Sequence, residues 1–383
     1  MDSWQQIGKF YYHCSYRDAI KNTLSLEDAH MKLSKNEKLI LWGLVKYPML
    51  NDRQLSDKIG VRMSTLNAIK NKMKRSGLIF DRIVPNVEIM DYEILAVSWT
   101  SLSRSMTDKD DVGFLRDLFS NHPNTYSAMV FGDTLLSLSL YSNYTEYRRA
   151  EYRIVKELNT RDLIPSENIH TTLYPLSISQ ISKNFDYTAV LERAFDIEPD
   201  GQETDDFGRF DMKKAREKVY HLTRKEKTIL KGILEAPDMP DNKIATMLDT
   251  TRQAVARHKK ELLELGVIKK TRVIDYAKLG FQILCLVEGH YNKIGDEERG
   301  GPDVRKFHLP SFFAIYGNSE TVSLSLFKDF EQFTQSKEVY LGAMKRFCDM
   351  KADPHINLYS PRHTITLKHQ EYLPLVEEFL NQS

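Results

Sequence analysis

Apolar residues recur at helical spacing in two separate stretches of the chain. In the later one, Ile229, Leu230, Ile233 and Leu234 form a single stripe, which predicts an amphipathic helix. Thr223 precedes it, with Glu226 three residues on, the spacing of a capping box. Pro237 and Pro240 end that helix. Asp241 caps a short second helix with Ile244, Ala245 and Leu248 inward. Asp249-Thr250-Thr251 makes a turn, and residues 252–265 form a third helix with Val255 and Leu262 on its core side. Gly266 stands where a left-handed C-cap stops a helix. Residues 267–274 then run or alternate apolar, like a wing strand. The earlier stretch has the same plan. Ser34 and Glu37 make the box, Asp52 opens the second helix, and Gly60-Val61-Arg62 makes the turn. Leu66, Ile69 and Met73 line a third helix over 63–76, Gly77 stops it, and residues 78–84 form the strand.

Downstream the period changes from helical to strand-like and back. Residues 94–100, 125–131, 134–141 and 168–174 read as strands, and 110–119 and 146–158 as helices. That order, β-α-β-β-α-β, is the ferredoxin-like pattern. The second half has a strand at 282–288, but glycine-rich, charged residues from 295 to 302 occupy the place of the first helix. The halves match in order. Glu37-Lys38 matches Glu226-Lys227, Gly43 matches Gly232, Pro48 matches Pro237, and Gly77 matches Gly266, all at one offset. Later, Phe131-Gly132-Asp133 pairs with Tyr316-Gly317-Asn318, and Tyr141, Tyr144 and Tyr147 pair with Phe327, Phe330 and Phe333. Internal repetition of this kind governs the reading of the whole chain.

The expected fold is therefore α+β, with two winged helix-turn-helix domains each followed by a ferredoxin-like βαββαβ domain. The expected boundaries are an N-terminal extension at 1–32, the first winged helix-turn-helix at 33–91, and its ferredoxin-like domain at 92–195. An acidic linker and short helix span 196–221. The second winged helix-turn-helix covers 222–279, and its ferredoxin-like domain 280–383. Aromatic residues Trp4, Phe10, Tyr11, Tyr12 and Tyr16 in the extension are candidates for dimer formation or for capping the first core.

Composition narrows the function classes. No run approaches the ~18 apolar residues of a membrane helix, and the N-terminus lacks the features of a signal peptide. Three cysteines, Cys14, Cys285 and Cys348, stand too far apart for a disulfide framework or a zinc pair. These features lead to the expectation of a cytoplasmic protein without cofactor or metal. Net charge is only +1, so any polyanion site must come from local concentration of charge. Such concentration occurs on both third helices. Segment 61–75 carries Arg62, Lys70, Lys72, Lys74 and Arg75, and segment 252–260 carries Arg252, Arg257, Lys259 and Lys260, both without an acid. The major groove admits one α-helix and displays a donor and acceptor code, while cations on the same helix neutralise phosphates. Ser64, Thr65, Asn67, Asn71, Thr251 and Gln253 add groups able to bond a base or a phosphate. The expected partner is double-stranded DNA.

Residues 265–280, Leu-Gly-Val-Ile-Lys-Lys-Thr-Arg-Val-Ile-Asp-Tyr-Ala-Lys-Leu-Gly, resemble the wing-to-sheet junction of the Lrp/AsnC, or feast/famine, regulators. The chain looks like a tandem-duplicated, archaeal-type member. The resemblance implies a ligand-sensing ferredoxin-like domain, with small effectors binding near a glycine-acid turn. Gly132 and Asp133, and Gly317 and Asn318, occupy that place, although the acid further along the family pattern is missing in both copies. A hairpin turn that simply needs glycine is the plainer reading of the same residues. The family assembles through its sheets, so a tandem chain is expected to form an intramolecular pseudo-dimer, with a further homodimer as an alternative.

Two other classes compete. Sirohaem decarboxylases resemble the same family, and His290, Arg305, His308, His355, Arg362 and His363 are candidates for such tetrapyrrole chemistry, but their spacing makes no recognisable constellation. Cys348, His355, His363 and His369 match no common metal-ligand spacing. A protein-interaction module is the third class, and the paired acid-free segments of the two third helices argue against it.

Overall fold

A computed structural model describes residues 31–165, 169–198, 211–293, 309–347, 349–350 and 352–382. Helices α1 (Lys35–Lys46), α2 (Asp52–Ile59) and α3 (Met63–Arg75) lead into strand β1 (Ile79–Pro85). Next come β2 (Ile94–Ser101), α4 (Lys109–Ser120), β3 (Thr125–Phe131), β4 (Thr134–Tyr141), α5 (Tyr144–Asn159), β5 (His170–Pro175), β6 (Gln180–Asn184) and α6 (Thr188–Phe195). Helices α7 (Met212–Tyr220), α8 (Arg224–Glu235), α9 (Asp241–Met247) and α10 (Arg252–Glu264) precede β7 (Ile268–Ile274). The remainder holds β8 (Ile283–Lys293), β9 (Ser311–Tyr316), β10 (Glu320–Phe327), α11 (Phe330–Phe347), β11 (Asp349–Met350), β12 (His355–Tyr359), β13 (Thr364–Lys368) and α12 (Leu373–Gln382). Among the described residues no helix is long and apolar enough to cross a membrane. The aromatic N-terminal extension, most of the acidic linker and the glycine-rich stretch around 295–302 lie outside the described residues.

The elements gather into two compact units that cut across chain order. Among the described residues, one comprises those within 31–89, 211–280 and 376–382, and the other those within 90–198 and 281–375. Both three-helix bundles thus share one unit, and both sheet domains share the other.

In the first unit the bundles form as their caps dictate. Ser34 Oγ accepts the Glu37 N–H at 3.3 Å while the Glu37 carboxylate accepts the Ser34 N–H at 2.9 Å. Thr223 and Glu226 repeat the exchange. Asp52 opens α2 as expected, with Asn51 before it as the cap, in its own box with Gln54. The other second helix departs from expectation, because Asp241 is the first residue inside α9 and Pro240 stands at the cap. Helix one approaches helix two closely in both bundles. A Cβ on Gly43 would lie 2.9 Å from an Ile59 methyl, and one on Gly232 2.9 Å from a Leu248 methyl. Gly77 and Gly266 end the third helices at φ of +62° and +70°, where a side chain would strain the backbone.

The two wing strands do not form wings. β1 pairs antiparallel with β7, from Ile79 opposite Ile274 to Pro85 opposite Ile268. Arg82 faces Thr271 at the centre, and these two are separated by the same offset as Glu37 and Glu226. The ladder therefore runs about a local two-fold axis. Matching bonds extend it, from the Asn86 N–H to the Val267 carbonyl and from the Asp275 N–H to the Leu78 carbonyl, both 2.9 Å. A single strand leaves a row of unpaired backbone groups, and here the like strand of the other half satisfies them.

Charge breaks the two-fold symmetry. Asp81, buried, faces Arg272, also buried, and accepts its Nε–H at 2.8 Å. Lys74 and Lys270 approach the same carboxylate at 2.5 and 3.4 Å. Burial alone would raise the Asp81 pKa, but Lys270, Arg272 and Lys74 outweigh it and hold the carboxyl well below the usual range.

In the second unit the expected order appears twice. One sheet runs β5-β2-β4-β3, the other β12-β8-β10-β9, both the ferredoxin-like order. What the sequence did not reveal is an exchange of edges. β13 adds to β3 of the first sheet, and β6 adds to β9 of the second. Each exchanged strand carries one register shift. An aromatic stack follows each, Tyr372 on Tyr126 and Tyr187 on Phe312, with centroids 4.9 Å apart in both. The sheets also touch through side chains, with Phe131 stacked on Tyr359 and Thr172 donating to Glu288 at 3.3 Å.

Replacing Asp81 by Ala leaves Arg272 buried without its counter-ion. We expect a loss of about 3–5 kcal/mol in urea unfolding near neutral pH. Because the Asp81 carboxyl is depressed in the folded chain, its contribution should be complete above the ordinary carboxylate range and decline as pH falls towards the depressed value. The variant should lack that acid-side decline, and wild-type and variant curves should converge there.

Candidate nucleic-acid interface

The third helices α3 and α10 occupy matching positions in their bundles. α3 buries Leu66 and Met73, and α10 buries Val255, His258 and Leu262. The opposite sides are open. On α3, Arg62, Met63, Ser64, Ala68, Asn71 and Arg75 are exposed, with Thr65 and Asn67 half-buried beside them. On α10, Arg252, Gln253, Ala256, Arg257, Lys260 and Glu264 are exposed. The spacing of these positions, three or four apart, places them along one face of each helix. Thr251 caps α10, its hydroxyl accepting the Ala254 N–H at 3.2 Å.

The lysines divide into two kinds. Lys70 binds Asp52 at 2.6 Å, and its counterpart Lys259 binds Asp241 at 3.0 Å. Each ties helix three to helix two of its own bundle. Lys74 is held by Asp81 and Asp238. Lys72 reaches the capping carboxylate Glu37 at 2.7 Å, and this hydrogen bond is the main cause of a lowered Glu37 pKa. Lys260 lies on the open face, 3.6 Å from Glu264. All five look alike in the sequence, because spacing alone does not reveal a facing carboxylate.

At the Lys72 position the second bundle has an acid, Glu261, near the capping Glu226 and the buried His258. Lys218 of α7 lies between the two carboxylates, 2.7 Å from each. His258 Nδ1 is 3.4 Å from Glu226. Among the described residues, Glu226, His258 and Glu261 are the group close enough to share a metal ion, but the Lys218 ammonium already supplies the cation. Burial would raise the Glu226 pKa, yet hydrogen bonds from Lys218 and Thr223 bring it down to about 2.

The glycine-acid turns of the sheet domains differ from each other. Gly132, at φ +59°, and Asp133 are exposed, whereas Gly317 is buried and Asn318 exposed. A Cβ on Gly317 would lie 3.3 Å from the Tyr174 ring. Of the residues considered for tetrapyrrole chemistry, Arg305 and His308 lie outside the described residues. His290 Nε2 is 3.5 Å from Glu288, which also has His170 Nε2 at 3.0 Å, and His355 is the strand neighbour of Glu288. Arg362 and His363 sit in a short 3-10 turn. Cys348 of the metal-ligand set is also outside the described residues, and His369 packs edge-on against Phe185.

No family model matches this sequence, and no curated protein matches it. Solved structures do. A transcriptional regulator of Neisseria meningitidis, in complex with L-Met, is 14% identical with a TM-score of 0.30, covering 37% of this chain and 89% of the other. An AsnC family transcriptional regulator from Agrobacterium tumefaciens is 13% identical with a TM-score of 0.28, again over 37% and 89%.

Removing Lys218 should leave two carboxylates facing each other across the second bundle. Lys218→Ala is expected to cost about 1–3 kcal/mol in chemical unfolding near neutral pH, the range for charged hydrogen bonds left unmade. Adding Glu261→Lys should recover most of that loss, because it recreates the Lys72–Glu37 pairing of the first bundle. No recovery in the double variant would refute the compensation.

Proposed function

We propose that this chain is a transcription regulator that binds duplex DNA, built by tandem duplication of a helix-turn-helix and ferredoxin-like module. The observation that carries the reading is the pair of open faces on α3 and α10, held in one unit by the β1–β7 ladder. A local two-fold axis suits the local two-fold axis of duplex DNA. An α-helix of roughly 10–12 Å diameter fills a major groove about 12 Å wide. In this reading the chain forms the intramolecular pseudo-dimer that a one-module protein makes from two copies, and needs no second chain to present two readers. Occupying a promoter would block or recruit the transcription machinery. The resemblance at residues 265–280 points the same way, and Gly132, Asp133, Gly317 and Asn318 remain its candidate effector turns.

The two faces are unlike. Ser64, Asn67, Ala68, Asn71 and Arg75 have Gln253, Ala256, Arg257, Lys260 and Glu264 at the matching places. The first face offers amides and hydroxyls, which suit adenine, and the second offers Arg257, which suits guanine. The proposed target is therefore an asymmetric site with two different half-sites. Arg62, Arg75, Arg252 and Lys260 are assigned to phosphates or base edges. Lys70, Lys72, Lys74 and Lys259, each bound to a carboxylate, support the helices.

Mobility-shift titration against genomic fragments over a range of salt tests this division. Arg252→Ala with Arg257→Ala should weaken specific binding by about 1–3 kcal/mol for each base edge no longer bonded. The same variant should flatten the salt dependence by about one for each phosphate no longer neutralised. Asn67→Ala with Asn71→Ala should relax sequence preference in one half-site only. Lys70→Ala with Lys259→Ala should leave the salt slope unchanged. Equal slopes for all three double variants would sink the assignment.

A further inference from the structure

The two bundles treat one place differently. In the first, Lys72 of α3 bonds the capping Glu37 of α1, and Ile69 stands three residues before Lys72. In the second, Glu226 matches Glu37, but His258 stands for Ile69 and Glu261 for Lys72. An imidazole and a second carboxylate thus join the acid that both bundles keep. The fold does not require them. Glu226 closes its capping box with Thr223 alone, and the first bundle shows that one lysine and one apolar residue complete the packing.

His258 is only 9% exposed. Its Nδ1 is enclosed and makes no hydrogen bond among the described residues. It lies 3.4 Å from Glu226 Oε1 and 3.7 Å from Glu261 Oε2. The Lys218 ammonium, 2.7 Å from each carboxylate, serves both acids and leaves Nδ1 without a bond. An enclosed ring nitrogen with no partner costs stability. A single ion bound to all three groups would supply that partner and neutralise both acids.

The spacing fits such an ion. Two ligand atoms, each about 2.0–2.1 Å from one tetrahedral zinc, stand about 3.3–3.4 Å apart. Both distances from Nδ1 are close to this, and the three ligand atoms lie within 4.8 Å of one another. His258 and Glu261, three residues apart, reach the ion from one side of α10, and Glu226 reaches it from α8. One imidazole with two carboxylates suits a divalent transition metal, whereas magnesium and calcium take oxygen ligands. Lys218 is the competitor. Its charge sits on a flexible four-carbon stem, so it can swing out to water from α7.

We propose that Glu226, His258 and Glu261 form a site for a divalent transition-metal ion such as zinc, which displaces the Lys218 ammonium. The ion ties α8 to α10 as the Lys72–Glu37 bond ties α1 to α3. His258 Nε2 lies 3.4 Å from an Arg257 nitrogen. With Nδ1 on the ion, Nε2 carries the ring hydrogen and accepts nothing from Arg257. The first bundle has no equivalent site, because Lys72 and Ile69 cannot bind a cation. The proposal does not rest on the DNA reading, and its test contains no DNA.

The test uses the full-length chain, zinc as the probe and magnesium as its control, with calorimetry and urea unfolding as readouts. His258→Ile copies Ile69 and Glu261→Lys copies Lys72, so both variants carry side chains that this scaffold already accepts. Wild type should bind one more zinc per chain than either variant. Lys218→Ala removes the competitor, so it should hold that ion at least about tenfold more tightly than wild type. Zinc should also raise its urea midpoint. Adding His258→Ile or Glu261→Lys to Lys218→Ala should abolish that rise, and magnesium should not produce it. Equal zinc binding by wild type and both single variants would overturn the proposal. So would a Lys218→Ala chain that holds zinc no more tightly than wild type, or whose midpoint ignores zinc or rises equally with magnesium.

Discussion

The antiparallel ladder between β1 and β7 is the interaction on which the first unit depends. Each strand is short and follows directly on a third helix, so neither half contains a neighbour for it. Only the matching strand of the other half satisfies its backbone. The pairing is also directed by charge. About the same local two-fold axis, β7 paired with a second β7 would set Arg272 opposite Lys270. A β1 pair would set buried Asp81 opposite Ile83. The observed unlike pair places Asp81 against Arg272, and a buried charge is tolerated only with its partner. Because α3 and α10 lead into these strands through a glycine stop, the ladder also sets how the two open faces are presented.

The second unit solves a similar problem by exchange. A four-stranded ferredoxin-like sheet ends in an open edge at its second strand. β13 covers that edge in the first sheet and β6 in the second. The strand that covers each edge comes from the other half, so neither sheet is completed by its own half. Covering an edge also removes a template for unwanted pairing with other chains.

Matching places in the two halves differ in a graded way. Where a side chain holds the bundle together, it is kept, as with Lys70 and Lys259 on their aspartates. Where an exchange would bring like charges together, a third element corrects it, as Lys218 does for Glu261 and Glu226. Where the side chain faces solvent, as at Asn71 and Lys260 or Arg75 and Glu264, the halves differ freely. Those positions are the ones that folding constrains least.

Local physics was legible in the residues themselves. Capping boxes at Ser34 and Thr223, glycine stops at Gly77 and Gly266, and the strand–helix order of each sheet domain depend on neighbours a few residues away. β3 and β4 appear at the bounds their alternation indicates. The Asn51 cap was also written locally, as Asn with Gln three residues on, but the acid beside it is an equally good capping residue type. Longer-range choices were not legible. Gln180–Asn184 is polar, and Thr364–Lys368, although it alternates, lies beyond the last strand that a ferredoxin-like pattern requires, so neither reads as part of a sheet without the edge it covers. Leu78 to Val84 resembled a wing because a strand's sequence does not name its partner. Lysines on α3 and α10 looked equivalent until the fold brought a carboxylate from another element to Lys70, Lys72, Lys74 and Lys259 and left Lys260 beside Glu264 of its own helix. Residue spacing determines which face of a helix or strand a side chain takes, whereas the atom it meets there comes from chain far away, and only the folded structure supplies it.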